Sequence, residues 1–158
     1  MEIKITQATD AHIQGIAELW KESMGFHEEI DAHFAVHENA HTDYVPHLQE
    51  VMQKKDAQVL VALDKERVVA YSVSLLFERP PVFEERIYGF ISDLAVTSDY
   101  RRKGIGGKLL DSMIEWFESK NVKRIELRVV AQNDVGYSFW RKHGFRDFMH
   151  ELYITRKL

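Results

Sequence analysis

Asp93-Leu94-Ala95-Val96-Thr97-Ser98-Asp99-Tyr100-Arg101-Arg102-Lys103-Gly104-Ile105-Gly106-Gly107-Lys108 carries an apolar run through a basic, glycine-rich turn into a stretch with helical periodicity. Upstream, residues 87–96 read as a strand. Downstream, Ile105, Leu109, Leu110, Met113, Trp116 and Phe117 fall on one wide apolar stripe of a helix that ends near Lys120. The first amides of a helix have no partner inside it, and the positive end of its dipole favours anions. Glycine in the same turn lets a phosphate reach the main chain. The stretch therefore reads as a phosphate site. Two familiar phosphate motifs fail on counting. Leu109 stands where a dinucleotide G-x-G-x-x-G has its third glycine, and the same leucine follows Lys108 where a P-loop has Ser or Thr.

Working outward, residues 3–5 read as a short strand. Ile13, Ile16, Ala17 and Trp20 follow with the spacing of a helical face that Thr9 or Asp10 is placed to cap. Residues 24–44 are polar and weakly patterned, and residues 45–54 suit a further helix. Two β-branched runs, residues 59–63 and 68–77, flank Asp64, Lys65, Glu66 and Arg67 and predict a hairpin, with Pro80 and Pro81 ending the second strand. After the long helix, residues 125–130 predict a strand, residues 134–143 a short helix stopped by Gly144, and residues 148–154 a last strand. Several strands precede one βαβ unit. This order predicts a mixed α/β sheet in place of a fully parallel, doubly wound one. There is no repeat and no linker, so residues 1–158 read as one domain.

A chain of 158 residues with 45% hydrophobic and 29% charged residues has the composition of an ordinary globular protein. It contains no cysteine, which removes disulfides, thiolate metal sites and a cysteine nucleophile together. The first residues lack a basic segment followed by an apolar one, and no run reaches the ~20 apolar residues of a membrane span. The expected location is the cytoplasm. A net charge of -4 gives no general attraction to nucleic acid or anionic membrane, so neither is an expected partner and any anion site is local.

The pattern Arg101-x-x-Gly104-x-Gly106 after the run Leu94-Ala95-Val96 resembles the pyrophosphate loop of the GNAT superfamily of acyl-CoA-dependent N-acetyltransferases. A second block agrees in order and distance. Asn133-x-x-Gly136-x-x-Phe139-Trp140-x-x-x-Gly144-Phe145 is similar to that superfamily's Asn-x-x-Ala-x-x-Phe-Tyr-x-x-x-Gly-Phe. The resemblance implies a mostly antiparallel mixed sheet of about six or seven strands, splayed between its two central strands, with helices on both faces. It also implies acetyl-CoA as co-substrate, and no metal. Leu94, Ala95 and Val96 would pair with the pantetheine arm like an added strand, and Arg101, Arg102, Lys103, Gly104, Ile105, Gly106 and Gly107 would hold the pyrophosphate. Asn133 would hydrogen-bond the cofactor, and Trp140 would wall the pantetheine or pack in the core. The implied reaction is direct attack of a primary amine on the thioester. Small-molecule amines rank first as acceptors, protein N-termini or lysines second, and a non-catalytic acyl-CoA sensor third. A homodimer is compatible with this reading.

The reaction needs a base for the amine, a donor for the oxyanion and an exit for the thiolate. Asp93 is the first candidate base because it lies beside the thioester strand, although neighbouring strand residues point to opposite faces. Where relatives carry a tyrosine that protonates the thiolate, this chain has Trp140, whose indole is no acid. Tyr137, one helical turn earlier, is the substitute. A thiol with a pKa near 8.5 also leaves as thiolate unaided. Asp93-Leu94 and Ser98-Asp99-Tyr100-Arg101 are similar to polyamine N-acetyltransferases, except that Ser92 replaces the first of that branch's acidic pair. The acidic, His-rich residues 24–44 would attract a cationic amine. On a continuous helix His33, His37 and His41 would align as a conceivable metal face, but a polar, solvated segment explains the same residues without a ligand.

Overall fold

The computed structural model describes residues 1–158, which form two compact units, Met1–Arg128 and Val129–Leu158. The first unit holds one five-stranded sheet in chain order. Its strands are β1 (Ile3–Gln7), β2 (Ala57–Asp64), β3 (Arg67–Glu78), β4 (Ile87–Val96) and β5 (Ile125–Leu127). Neighbours among β1 to β4 are antiparallel, and β5 runs parallel to β4. The expected mixed, mostly antiparallel sheet is therefore present, with five strands in place of six or seven. No helix is long and apolar enough to cross a membrane.

Alternation along β2 and β3 sorts the side chains onto two covered faces. Val59, Val61, Leu63, Tyr71 and Val73 meet Ile13, Ile16 and Leu19 of α1 (Ile13–Ile30) and Leu48 and Val51 of α2 (Ala40–Gln53). Leu60, Ala62, Ala70 and Ser72 point the other way and are buried beneath α3 (Ile105–Ser119), whose stripe Ile105, Leu109, Leu110, Met113 and Phe117 is almost inaccessible. Burying each such large side chain contributes about 1.5–3 kcal/mol. α3 lies so close to the sheet that a Cβ on Gly89 would fall 2.5 Å from Phe117 Cε1, so β4 needs glycine there.

The polar stretch over residues 24–44 is more ordered than its pattern predicts. α1 runs on to Ile30, a short turn covers Ala32–Phe34, and α2 already begins at Ala40. Because the chain is not one helix there, His33, His37 and His41 share no face, and His37 Nε2 instead meets Asp43 Oδ2 at 2.9 Å. β5 ends at Leu127, short of the expected residue 130.

The second unit holds α4 (Asp134–Lys142), which Gly144 terminates with a φ of 91°. Residues 148–154, expected as a strand, form none in this unit. Alternating apolar residues suit a strand, but a ladder also needs a neighbour, and this unit by itself contains no other strand.

Candidate functional site

The site is built around a break in the pairing of β4. β3 and β4 match Ser74 with Ile91 and Val73 with Asp93, so Ser92 is an extra residue without a partner. Such a bulge shifts the phase of everything after it. Ile91 opposes Ser74 on the α3 side, and plain alternation would send Asp93 the same way. The extra residue turns Asp93 to the side of Val73, under α1 and α2.

The same shift re-aims the main chain. Gly89 N–H donates outward to Arg124 at 2.8 Å and β5 continues that pairing only to Ile91, whereas Thr97 N–H donates inward to Val69 at 2.9 Å. Counting back by twos from Thr97, Ala95 and Asp93 face β3, and Leu94 and Val96 face the other edge. Within this unit that edge has lost β5, so the Leu94 N–H points to an unpaired margin. The Val96 carbonyl on this edge accepts from Arg101 Nε at 3.0 Å.

Around the Asp93 carboxylate three hydroxyls converge, each at 3.3 Å. Tyr44 of α2 and Tyr71 of β3 donate to Oδ2, and Ser92 donates to Oδ1. Trp20 of α1 stacks flat on Tyr44, with centroids 4.4 Å apart, and His47 flanks the same ring at 6.1 Å. Burial pushes the Asp93 carboxyl above its usual range and outweighs the three hydroxyls and the nearby His47, which pull it down. Burial also raises both phenols, with the charge of Asp93 adding to the effect. A carboxylate that holds its proton more firmly than usual, near an open strand edge, is equipped to accept a proton.

The turn after β4 gathers a set of unpaired amides. Gly104 caps α3 with a φ of 79°, and Arg102 also adopts a left-handed φ of 59°. The first helical bond is donated by Lys108 to the Gly104 carbonyl at 3.1 Å, and the amides of Arg102, Lys103, Gly104, Ile105, Gly106 and Gly107 donate to no group of the chain. Left-handed residues alternating with right-handed ones fold such amides into a concave nest for an anion. The space beside Gly104 where a Cβ would stand is open, which leaves room for a phosphate. The residues thus fit the pyrophosphate of coenzyme A. Arg101 is partly committed elsewhere, to Val96 and, at 3.5 Å, to Glu22. Lys103 lies over the Tyr100 ring at 5.2 Å.

In the second unit, Asn133 caps α4, its Oδ1 accepting from Gly136 N–H at 2.9 Å, which leaves its Nδ2 free to donate. Tyr137 donates to Asp147 Oδ1 at 2.9 Å, and this bond raises the phenol's pKa. Trp140 is half-buried between Phe139 and Phe145, with edge-to-face contacts at 4.9 and 5.2 Å.

Sequence reasoning reached Asp93 and the turn but missed Trp20, Tyr44, His47, Tyr71 and Glu22. Tyr71 reads as one more apolar strand residue, and Tyr44 lies in the stretch whose pattern is weakest. Only the cross-strand register and the placement of α2 bring them to Asp93. The bulge had one signal, a polar Ser92-Asp93 pair interrupting an apolar strand.

The family model described as the acetyltransferase (GNAT) family matches residues 14–145. Streptothricin acetyltransferase A of Bacillus subtilis is 38% identical over 58 residues, 37% of this chain and 34% of that protein. N-alpha-acetyltransferase 30 of Schizosaccharomyces pombe is 26% identical over 85 residues, 54% of this chain and 55% of that one. The matched stretches thus span about a third to about half of these curated relatives. Among solved structures, a mutant of the BH1408 protein from Bacillus halodurans superposes with a TM-score of 0.89 at 27% identity, covering 98% of this chain and 99% of that one. The aminoglycoside 6'-N-acetyltransferase AAC(6')-IG from Acinetobacter haemolyticus shares the fold, with a TM-score of 0.76 at 17% identity and coverage of 98% and 99%. With both sequence blocks inside the matched residues and the strand–turn–helix unit present in the fold, this chain belongs to the GNAT family of acetyltransferases.

Proposed function

We propose that this protein transfers an acetyl group from acetyl-CoA to the primary amine of a small molecule, with both units acting as one domain. The observation that carries this reading is the bulge at Ser92, which presents Asp93 and the Leu94 N–H together, a few residues before the nest of free amides. The amides of Arg102, Lys103, Gly104, Ile105, Gly106 and Gly107 would hold the pyrophosphate. The N–H groups of Leu94 and Val96, on the edge away from β3 with Ala95 between them, would meet the pantetheine arm, and the Asn133 amide would donate to the cofactor. Bound there, acetyl-CoA supplies the thioester that the amine attacks.

Asp93 takes the proton from the incoming ammonium, directly or through one water, and a pKa raised by burial makes it a stronger base than an ordinary carboxylate. Tyr44, Tyr71 and Ser92 hold the carboxylate in place. The Leu94 N–H is available to the developing oxyanion, since it faces the open edge. Thiolate departure is less demanding, because a thiol of ordinary pKa leaves without an acid. Tyr137 is the nearest substitute for the absent tyrosine at Trp140, although Asp147 holds its proton.

A small-molecule acceptor is supported by the likeness to streptothricin acetyltransferase A. The likeness to N-alpha-acetyltransferase 30 favours a second reading, a peptide amine. The cofactor half is tested by calorimetric titration of acetyl-CoA into the wild type and into Arg102→Glu. Binding in the first and a loss of about tenfold or more in the second is expected, as a like charge replaces a cation in an anion site. Equal affinity would remove the phosphates from this turn.

A further inference from the structure

Glu22 lies on α1 and spreads its carboxylate over the segment that joins β4 to the nest. Its Oε2 accepts from Thr97 Oγ1 at 2.9 Å and its Oε1 accepts from Ser98 N–H at 2.9 Å. The same Oε1 stands 3.5 Å from Arg101 Nη2. Phe26, one turn further along the same helix face, brings its ring to 6.0 Å from the Arg101 guanidinium. One side chain therefore ties down Thr97, Ser98 and Arg101, three of the five residues between the last residue of β4 and the first amide of the nest.

A carboxylate is a poor neighbour for a pyrophosphate, so its presence there calls for a role other than attracting the anion. The ion pair with Arg101 is exposed on both sides and contributes little. The two hydrogen bonds at 2.9 Å are charge-assisted, and the Thr97 end is buried, which makes them the stronger contacts. We infer that Glu22 is a positioning residue for the cofactor: it fixes the segment from Thr97 to Arg101 so that the amides after it converge on one anion. The inference rests on the proposed pyrophosphate site.

The test titrates wild type, Glu22→Gln and Thr97→Val with coenzyme A and, by competition, with pantetheine, which shares the arm but lacks the phosphates. Glu22→Gln keeps the shape but loses the second acceptor oxygen, and is expected to raise the Kd for coenzyme A about tenfold. Its Kd for pantetheine stays at the wild-type value. Thr97→Val removes one bond and moves the coenzyme A Kd the same way by a smaller factor. An unchanged or tighter coenzyme A Kd in Glu22→Gln would overturn the inference, since Glu22 would then merely neutralise Arg101. Equal losses for both ligands would overturn it too, as the mark of a general structural role. A wild-type protein that binds no coenzyme A would instead strike the pyrophosphate reading beneath it.

Discussion

Asp93 is held where burial works against its charge, and this gives it two measurable signatures. Its pKa is raised on folding, so its contribution to stability is fully present below the ordinary carboxylate range and is lost as pH rises through the folded value. At neutral pH the charged carboxylate therefore costs stability. Asp93→Asn is expected to melt higher than wild type at pH 7, the gap closing as pH falls below about 4. The same variant should lose about 10²-fold or more in kcat. A variant that is less stable at pH 7 and still fully active would show that Asp93 is only a structural acceptor. Tyr137 calls for a separate test. Asp147 holds its proton, so Tyr137→Phe should lower kcat by less than about tenfold and leave the KM for acetyl-CoA unchanged. A larger loss confined to kcat would make Tyr137 the dominant acid after all.

At the scale of elements, β4 does the positioning, and its two ends are fixed in different ways. Near its start, Gly89 lets α3 settle on the sheet against Phe117. Gly89→Ala should cost about 1–3 kcal/mol in a urea unfolding curve, the range of an overpacked core, and a neutral result would mean that α3 moves aside freely. Past its end, Gly104 is needed for its φ of 79°, with open space around it. Gly104→Ala should cost only about 1–2 kcal/mol of stability yet weaken coenzyme A binding, because the new methyl would fill the open space where the proposed pyrophosphate approaches. The strand–turn–helix unit was legible because its signals are local: an apolar run, a basic glycine turn, a helical stripe. The bulge was not, because a register shift shows only when Val73 and Asp93 are seen side by side. Tyr44 was hidden for a related reason. α2 includes Pro46 and a polar surface, so its periodicity is faint until Leu48 and Val51 are seen against the sheet.

For the molecule as a whole, a net charge of -4 gives no general attraction to anions, so any anion site has to be local. The family could be read from two sequence blocks, since the turn and the Asn133 cap each place several residue types at fixed spacing. The acceptor could not, because the groups around Asp93 come from α1, α2, β3 and β4 and no spacing along the chain relates them. Acetyl transfer itself decides whether Asp93 is the base. Wild type and Asp93→Asn would be incubated with acetyl-CoA and a panel of polyamines, aminoglycosides, amino acids and peptides, with thiol release followed and the acceptor products weighed by mass spectrometry. An acetylated small-molecule amine is expected from the wild type, with thiol released in equal amount and a rate that falls about 10²-fold or more in Asp93→Asn. Tight binding of acetyl-CoA with no acceptor acetylated anywhere in the panel would rule out the small-molecule transferase, and equal rates from the two proteins would rule out Asp93 as its base.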